Sequence, residues 1–229
     1  MLLQNKVAIV HGAGGAIGSA TAKAFAKEGA KVFLAGRTLE KVQRVAQEII
    51  AAGGAAEAVQ VDALNEQAVE AFTNDVVKKA GALDILFNAI GLGAKVVQGQ
   101  LLTDLTPEDF LFPITTWTLS QFLTARAAAR YMVTRRSGVI LTLSASPARL
   151  AIAQTCGFGV ACAAVEGLSR TLAAELSPHG VRVVNLRPHR IADTLNAADF
   201  PAVQYSEFKD FLEKLTLLKR MPTLAEVAD

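Results

Sequence analysis

The sequence contains few of the residues that build metal sites or disulfide frameworks. Among its 229 residues there are two cysteines, Cys156 and Cys162, and only three histidines. Because these residues are scattered, they offer no set of four ligands at the spacing of a zinc site, and we expect no bound metal. Two cysteines without a framework are typical of a reducing compartment, so the composition predicts a cytoplasmic protein.

The sequence also lacks a strong charge of one sign and a long uninterrupted apolar run. Its formal net charge is +2, too small for the basic surface of a nucleic-acid-binding domain. No apolar run approaches the roughly 18 residues that span a membrane, and polar residues from Gln4 to Lys6 argue against a signal peptide. With 52% hydrophobic residues the chain can bury a large core. We therefore expect a soluble protein with no nucleic-acid or membrane partner.

Short apolar runs alternate with longer helical periods along the whole sequence. The apolar runs predict six buried strands at Lys6–His11, Lys31–Ala35, Glu57–Val61, Leu83–Phe87, Val139–Leu143 and Val181–Leu186. Helices are predicted between them at Ala16–Glu28, Leu39–Ile49 (with Thr38 as its cap), Val69–Val76 and Pro107–Arg135, and in a last helix that ends near Leu176. Strands that alternate with helices form right-handed parallel crossovers. The pattern predicts an α/β fold with one Rossmann-like, doubly wound parallel sheet that has helices on both faces, in a single domain over residues 1–229.

A glycine cluster, HGAGGAIG, follows the first predicted strand at residues 11–18 and opens the first predicted helix. Glycines at such a turn let the backbone approach a diphosphate, and the helix N-terminus offers N–H groups and a positive dipole. A tight strand-to-helix turn that binds nothing can also use glycine. The position directly after the first buried strand favours a dinucleotide-binding site.

Three further motifs follow the glycine cluster: VQVDA at residues 59–63, NAIG at residues 88–91 and NLRPH at residues 185–189. With the cluster, they resemble in type and order the motifs of the short-chain dehydrogenase/reductase (SDR) family, over nearly the whole chain. The resemblance implies that eight residues contact a cofactor: Gly12, Gly14, Gly15, Ile17, Gly18, Asp62, Asn88 and Gly91. The final segment, KRMPTLAEVAD, is similar to the one before the family's last strand, so we expect that strand not to be present in this chain.

The turn after the second predicted strand reads AGR at residues 35–37. A site that prefers NAD needs a carboxylate there to bind the ribose hydroxyls and to repel a 2′-phosphate. This turn has no acid, and the Arg37 guanidinium could bind a phosphate through two hydrogen bonds. A solvated surface arginine is the alternative. The turn therefore favours NADP(H) over NAD(H).

The stretch FGVAC lies where the resemblance places the proton-transfer machinery. The family uses a Tyr to exchange a proton with the substrate oxygen, and a Lys four residues later lowers the pKa of that Tyr. Here Phe158 stands at the Tyr position and Cys162 at the Lys position. Because phenylalanine has no proton to give and a neutral thiol supplies no positive charge, the sequence lacks the usual donor.

The two remaining catalytic positions implied by the resemblance are also replaced. Counted from Gly138, the family's catalytic Ser falls on Ala145, and its catalytic Asn falls at or beside Trp117. Ser144 and Ser146 flank Ala145, so a slip of one residue would bring either hydroxyl into place. Without such a slip, none of the four positions carries an acid or a base.

A basic cluster of Arg187, His189 and Arg190 follows the sixth predicted strand. Because histidine titrates near neutral pH, His189 is a candidate acid; a solvated loop or a non-catalytic anion-binding rim is the alternative.

Two hypotheses remain for the function of the whole chain. It is either an SDR oxidoreductase that uses an unusual donor on a small-molecule substrate, or a non-catalytic nucleotide-binding or assembly protein on the same scaffold.

Small residues recur on the two long helices that flank the fifth predicted strand. They are Ala125, Ala128, Ala129, Ala161, Ala164 and Gly167. The resemblance implies that these two helices form the subunit interface, whereas packing against the protein's own sheet is the alternative. We expect a homodimer or homotetramer.

Overall fold

Six strands form a parallel sheet in the part of the chain that the computed structural model describes, residues 1–92, 96, 98–195 and 202–229. They are β1 (Val7–His11), β2 (Lys31–Gly36), β3 (Ala55–Gln60), β4 (Ile85–Asn88), β5 (Gly138–Leu143) and β6 (Val181–Leu186). Their spatial order is β3-β2-β1-β4-β5-β6, and every neighbouring pair is parallel. The predicted Rossmann-like sheet is confirmed.

Helices connect the strands and cover both faces of the sheet. They are α1 (Ala16–Lys27), α2 (Leu39–Ala51), α3 (Glu66–Ala80), α4 (Pro107–Arg135), α5 (Cys156–Leu176), α6 (Ala202–Lys214) and α7 (Leu224–Ala228). The first five were predicted, whereas α6 and α7 were not. Within the described residues, none of these helices has both the length and the apolar character that a bilayer crossing requires.

Side-chain caps mark the start of α3, α4 and α7. The Asn65 side chain accepts a hydrogen bond from the Ala68 N–H at the start of α3, and the Thr106 hydroxyl accepts one from the Asp109 N–H at the start of α4. These contacts satisfy N–H groups that a helix cannot pair internally. Thr38 precedes α2 as predicted, but its hydroxyl makes no capping bond, so the predicted cap is wrong in that respect.

The alternation of side chains along the strands divides the core into two layers. Ile9 and Phe33 belong to a cluster that packs against α3 and α4, whereas Val10 and Leu34 belong to a cluster that packs against α1 and α2. Successive residues of a strand point to opposite faces of the sheet. The strands are therefore buried on both sides, which explains their nearly continuous apolar sequences.

Most of the small residues of α4 and α5 pack inside the single chain. Four of the six are buried within the single chain: Ala125, Ala128, Ala129 and Ala161. They allow α4, α5 and the sheet to approach one another. For these four residues the alternative, packing against the protein's own sheet, therefore holds. Outside this packing, α4 exposes the apolar side chains of Leu119 and Phe122. An interface between copies of the chain remains a prediction, and it would use such exposed residues.

The order of the strands reverses between β1 and β4. These neighbours are in register, with His11 opposite Asn88, but the chain leaves β1 toward α1 and leaves β4 in the direction of α4. The two connections diverge and leave a crevice at the carboxyl ends of the strands, where α/β proteins of this kind bind ligands.

Candidate functional site

The loop between β1 and α1 is built for close approach of the backbone. Gly12 has φ of +74°, and a side chain there would come within 2.7 Å of the Ala89 backbone. A side chain at Gly18 would collide with the Gly12 carbonyl. Gly15 precedes α1 and contributes no capping side chain, so the first N–H groups of the helix are left for another partner. This cradle fits the diphosphate of a dinucleotide.

Asn88 anchors the second wall of the crevice. Its side-chain amide donates hydrogen bonds to the Ser120 carbonyl (3.0 Å) and the Thr124 hydroxyl (2.9 Å). Its side-chain oxygen, Oδ1, accepts hydrogen bonds from the Ile90 N–H (3.1 Å) and the Gln121 side-chain amide (3.2 Å). All four bonds join the end of β4 to α4 or shape the loop that follows. Asn88 therefore acts on the crevice by fixing its wall, while the predicted contact with a cofactor stays a prediction.

Two further predicted positions, Gly91 after β4 and Asp62 after β3, are both exposed. No atom of the described residues lies within 4 Å of a side-chain carbon added at Gly91, which lines the mouth of the crevice. The Asp62 carboxylate accepts a hydrogen bond from the Leu64 N–H at 3.0 Å and so stabilises the turn after β3. The predicted contact of Asp62 with a cofactor stays a prediction.

Two cations stand at the ends of β2 and the glycine loop. Arg37 is exposed, and within the described part of the chain its guanidinium makes no hydrogen bond or ion pair; only its backbone carbonyl is engaged, by the Gln60 amide. Lys41, in the first turn of α2, approaches so closely that a side chain at Gly14 would lie 2.9 Å from its Cβ. Lys41 was not among the predicted residues. Its position in the first turn of α2, directly after the turn that carries Arg37, is the signal that could have found it.

A cavity of about 710 Å³ opens beside the glycine loop. Its walls come from the start of α1, the ends of β4 and β5, the first part of α5, the loop after β6 and the inner side of α6. A volume of this size is typical of small-molecule sites. Among the described residues of the lining, His189 and Arg190 are the only ones with an ionisable side chain.

Trp117 and Phe158 form one wall of this cavity. Their rings are stacked, with centroids 5.3 Å apart and planes 10° apart. Trp117 is 4% exposed, and its indole N–H is buried with no hydrogen-bond partner among the described residues. The structure thus brings two of the four predicted catalytic positions into contact, but their side chains meet as an apolar pair.

Cys162 lies one helical turn after Phe158, beneath the cavity wall. It is fully buried in the core layer that includes Trp117. Burial raises the pKa of the Cys162 thiol to about 12, with the nearby Glu166 charge adding to the effect. The group is therefore a neutral thiol at physiological pH, neither a cation nor an activated nucleophile.

Ala145 and the preceding Ser144 both line the cavity, but Ser144 is buried and its hydroxyl is engaged by other side chains. The Ser144 hydroxyl lies 2.8 Å from Oδ1 of Asn185 and 3.2 Å from a carboxylate oxygen of Glu166. Burial by itself raises the pKa of Glu166, but Arg149, Arg187 and the Ser144 hydroxyl outweigh it, so this pKa lies below its usual range. Ser144 belongs to a structural network, which argues against its role as the missing catalytic serine.

Ser146 and His189 are brought together at the cavity wall. The Ser146 hydroxyl lies 2.9 Å from Nδ1 of His189, and Nε2 of the same ring lies 3.1 Å from the Leu212 carbonyl in α6. Because a carbonyl oxygen can only accept, Nε2 carries a hydrogen; in the neutral form of the ring, Nδ1 then accepts the hydrogen of Ser146. The two weak candidates of the sequence are thus a hydrogen-bonded pair, tied to α6.

His11 stands at the first position of the glycine motif, where the family has Thr. It is 1% exposed, packs edge-on against Phe72, and its Nε2 has no hydrogen-bond partner among the described residues. Burial lowers the pKa of His11 to about 4. In the part of the chain that the structure describes, no three potential ligands cluster in a way that could hold a metal ion.

A doubly wound parallel sheet with a glycine loop at its switch point defines a dinucleotide-binding α/β protein. Sequence comparison agrees: the family model described as enoyl-(acyl carrier protein) reductase matches residues 12–229. A short chain aldehyde dehydrogenase of Euphorbia lathyris is 30% identical over 98% of this chain and 79% of its own length. The short-chain reductase protein NovJ of Streptomyces niveus is 33% identical over 82% of this chain and 70% of its own.

Solved structures show the same relationship. A metagenomic short-chain oxidoreductase in complex with NADP superposes with a TM-score of 0.75 and 31% identity, over 83% of this chain and 85% of its own. A short-chain type dehydrogenase/reductase from Mycobacterium marinum gives a TM-score of 0.84 with 29% identity, over 99% and 85% of the two chains. The chain belongs to the short-chain dehydrogenase/reductase family, a family of nucleotide-binding oxidoreductases.

Proposed function

We propose that this chain binds NADP(H) in preference to NAD(H) and lacks the acid–base chemistry with which its family reduces carbonyl groups. The observation that carries the second part is the stacked pair of Trp117 and Phe158, with a neutral Cys162 beneath it. At the position aligned with the proton donor the cavity presents a phenyl ring, and at the position of its charged partner the chain has a buried, uncharged thiol.

The preference for NADP(H) is supported by charge. Arg37 and Lys41 flank the glycine loop, and the turn between β2 and α2 contains no acid before Glu40. An unpaired guanidinium can hold a phosphate in bidentate fashion, and an ammonium adds a point charge. The solved relative in complex with NADP shows that a similar chain binds this nucleotide.

Each residue of the proposed nucleotide site has a separate task. The glycine loop and the start of α1 would bind the diphosphate, Asp62 would meet the adenine, and Asn88 would hold the wall beside the nicotinamide end. When bound, the nucleotide would supply a hydride. The chain itself would have to supply a proton and stabilise a developing oxyanion, steps that depend on preorganised donors. Phe158 and Ala145 offer none.

Direct binding measurements test the nucleotide preference. NADPH should bind more tightly than NADH, and Arg37→Ala should weaken NADPH alone, by about 1–3 kcal/mol for a lost charge-assisted contact. Arg182→Ala, which removes an exposed arginine from β6, is the matched control and should change neither affinity. Equal affinities for the two nucleotides, or no binding of either, would contradict the proposal.

The activity test uses NADPH with a panel of carbonyl compounds and enones. We expect negligible turnover, and this outcome favours the alternative of a non-catalytic nucleotide-binding or assembly protein, working in the cytoplasm as a homo-oligomer. Brisk NADPH-dependent reduction by the unmodified chain would instead favour an oxidoreductase with a displaced donor. Enones belong in the panel because the matching family model is described by an enoyl reductase.

A further inference from the structure

We infer that the cavity binds a neutral ring compound whose hydroxyl group donates a hydrogen bond to the Ser146 hydroxyl oxygen, held in place by His189. The inference concerns the side chains of the cavity and does not depend on which nucleotide the glycine loop binds.

The orientation of the Ser146 hydroxyl follows from the histidine beside it. Nε2 of His189 must donate to the Leu212 carbonyl, 3.1 Å away, so Nδ1 is left as an acceptor for the Ser146 hydrogen at 2.9 Å. A hydroxyl has one hydrogen and can accept two hydrogen bonds. With its hydrogen directed at Nδ1, the Ser146 oxygen can only accept from a ligand. It therefore selects a donor such as a hydroxyl.

The backbone around Ser146 holds this oxygen in position. The Ser146 N–H donates to the Pro188 carbonyl at 3.2 Å, which joins the end of β5 to the loop that carries His189. The Ser146 carbonyl in turn accepts from the N–H groups of Arg149 and Leu150, each at 3.0 Å. A polar group fixed in this way before a ligand arrives costs little ordering entropy on binding.

The remaining described lining favours a neutral ligand with a ring. It contains no carboxylate, and the Arg190 guanidinium donates to the Thr194 carbonyl at 2.9 Å. Trp117 and Phe158 supply flat aromatic surface, and Phe211 of α6 lines the cavity as well. Aromatic rings pack against such surfaces in offset or edge-on geometry.

Three compounds of nearly the same shape separate the possible interactions: 4-propylphenol, 4-propyltoluene and 4-propylanisole. The phenol donates and accepts a hydrogen bond, the toluene does neither, and the anisole only accepts. Trp117 is the single tryptophan of the sequence and lines the cavity, so its fluorescence reports binding. Excitation at the red edge of the indole absorption avoids the phenol.

The intact chain without nucleotide should bind the phenol roughly threefold to tenfold more tightly than the other two compounds, as expected for one net hydrogen bond. In Ser146→Ala the phenol should lose its advantage and bind no more tightly than the toluene, because its hydroxyl is desolvated without a partner; the affinity for the toluene should stay at its wild-type value and show that the cavity is intact. Ser177→Ala, an exposed serine outside the cavity, should keep the preference. In His189→Phe the freed serine hydrogen should let the anisole bind as well as the phenol.

Equal binding of all three compounds to the wild-type chain, tighter binding of the anisole, or no binding would overturn the inference. So would a phenol preference that survives in Ser146→Ala. The first series contains no nucleotide, so its result does not depend on the proposed nucleotide preference. The titrations are then repeated with saturating NADP⁺.

Discussion

The indole of Trp117 lies parallel to the ring of Phe158, with 5.3 Å between the ring centroids. One residue comes from α4 and the other from the first turn of α5. Their contact closes off the place where an amide and a phenol would have to meet a substrate. The two replacements therefore form one structural unit, and reversing Phe158 alone would leave the Trp117 ring stacked on the new phenol.

Restoring the family's residues tests this coupling. The triple change Ala145→Ser, Phe158→Tyr and Cys162→Lys should raise any residual NADPH-dependent carbonyl reduction only slightly, because Trp117 still covers the new phenol. Adding Trp117→Asn should bring the larger gain, of the order of 10²–10⁴-fold for acid–base help. Initial rates are compared at equal folded fraction, measured by circular dichroism. A full gain from the triple change alone would show that Trp117 is no obstacle.

The single change Cys162→Lys should be strongly destabilising. Cys162 is fully buried, and the closest acid in sequence, Glu166, is already paired with Arg149 and Arg187. Burying an ammonium with a pKa depressed by several units lowers the free energy of unfolding by about 4 kcal/mol or more. Urea titration measures the loss, and Cys162→Ala, which introduces no charge, should lose far less. The same change alone should add no activity, because no phenol is present for the lysine to tune.

His11 should make the stability of the protein depend on pH. Burial lowers the pKa of His11 to about 4 in the folded chain, whereas an unfolded histidine titrates near 6.5. Between these values the unfolded state binds more protons, so stability is complete above about pH 6.5 and falls by about 3 kcal/mol as the pH drops to about 4. Urea titrations across this range should show the loss. His11→Thr should remove most of the slope, while His179→Gln, at an exposed histidine, should leave it unchanged.

The exposed apolar face of α4 should hold copies of the chain together. Leu119 and Phe122 are 45% and 38% exposed, and burying such side chains between subunits is favourable. Light scattering at micromolar concentration should give at least the mass of a dimer. The double variant Leu119→Glu, Phe122→Glu should move the mass toward the monomer, whereas Ile50→Glu on α2, also an exposed apolar residue, should not. A monomeric wild-type chain would contradict the prediction.

Most of the fold could be predicted from the sequence, because parallel strands buried on both faces leave apolar runs of recognisable length. The helix Pro107–Arg135 was predicted with its observed bounds, since its apolar period is a local feature of the sequence. The tail could not be predicted in this way. Helix α6 has a mixed pattern of charged and apolar residues, and its partners lie far away in sequence.

For the candidate site, too, some properties follow from the sequence and others only from the tertiary structure. The sequence by itself determined which atoms are available: a phenyl ring at position 158, a thiol at 162, a methyl group at 145 and a guanidinium at 37, because side-chain chemistry does not depend on folding. Only the tertiary structure decided what those atoms meet. The stacking of Trp117 on Phe158, the neutral state of Cys162 and the pairing of Ser146 with His189 all depend on contacts between distant segments, since burial and hydrogen-bond geometry are set by the packing of the whole sheet and its helices.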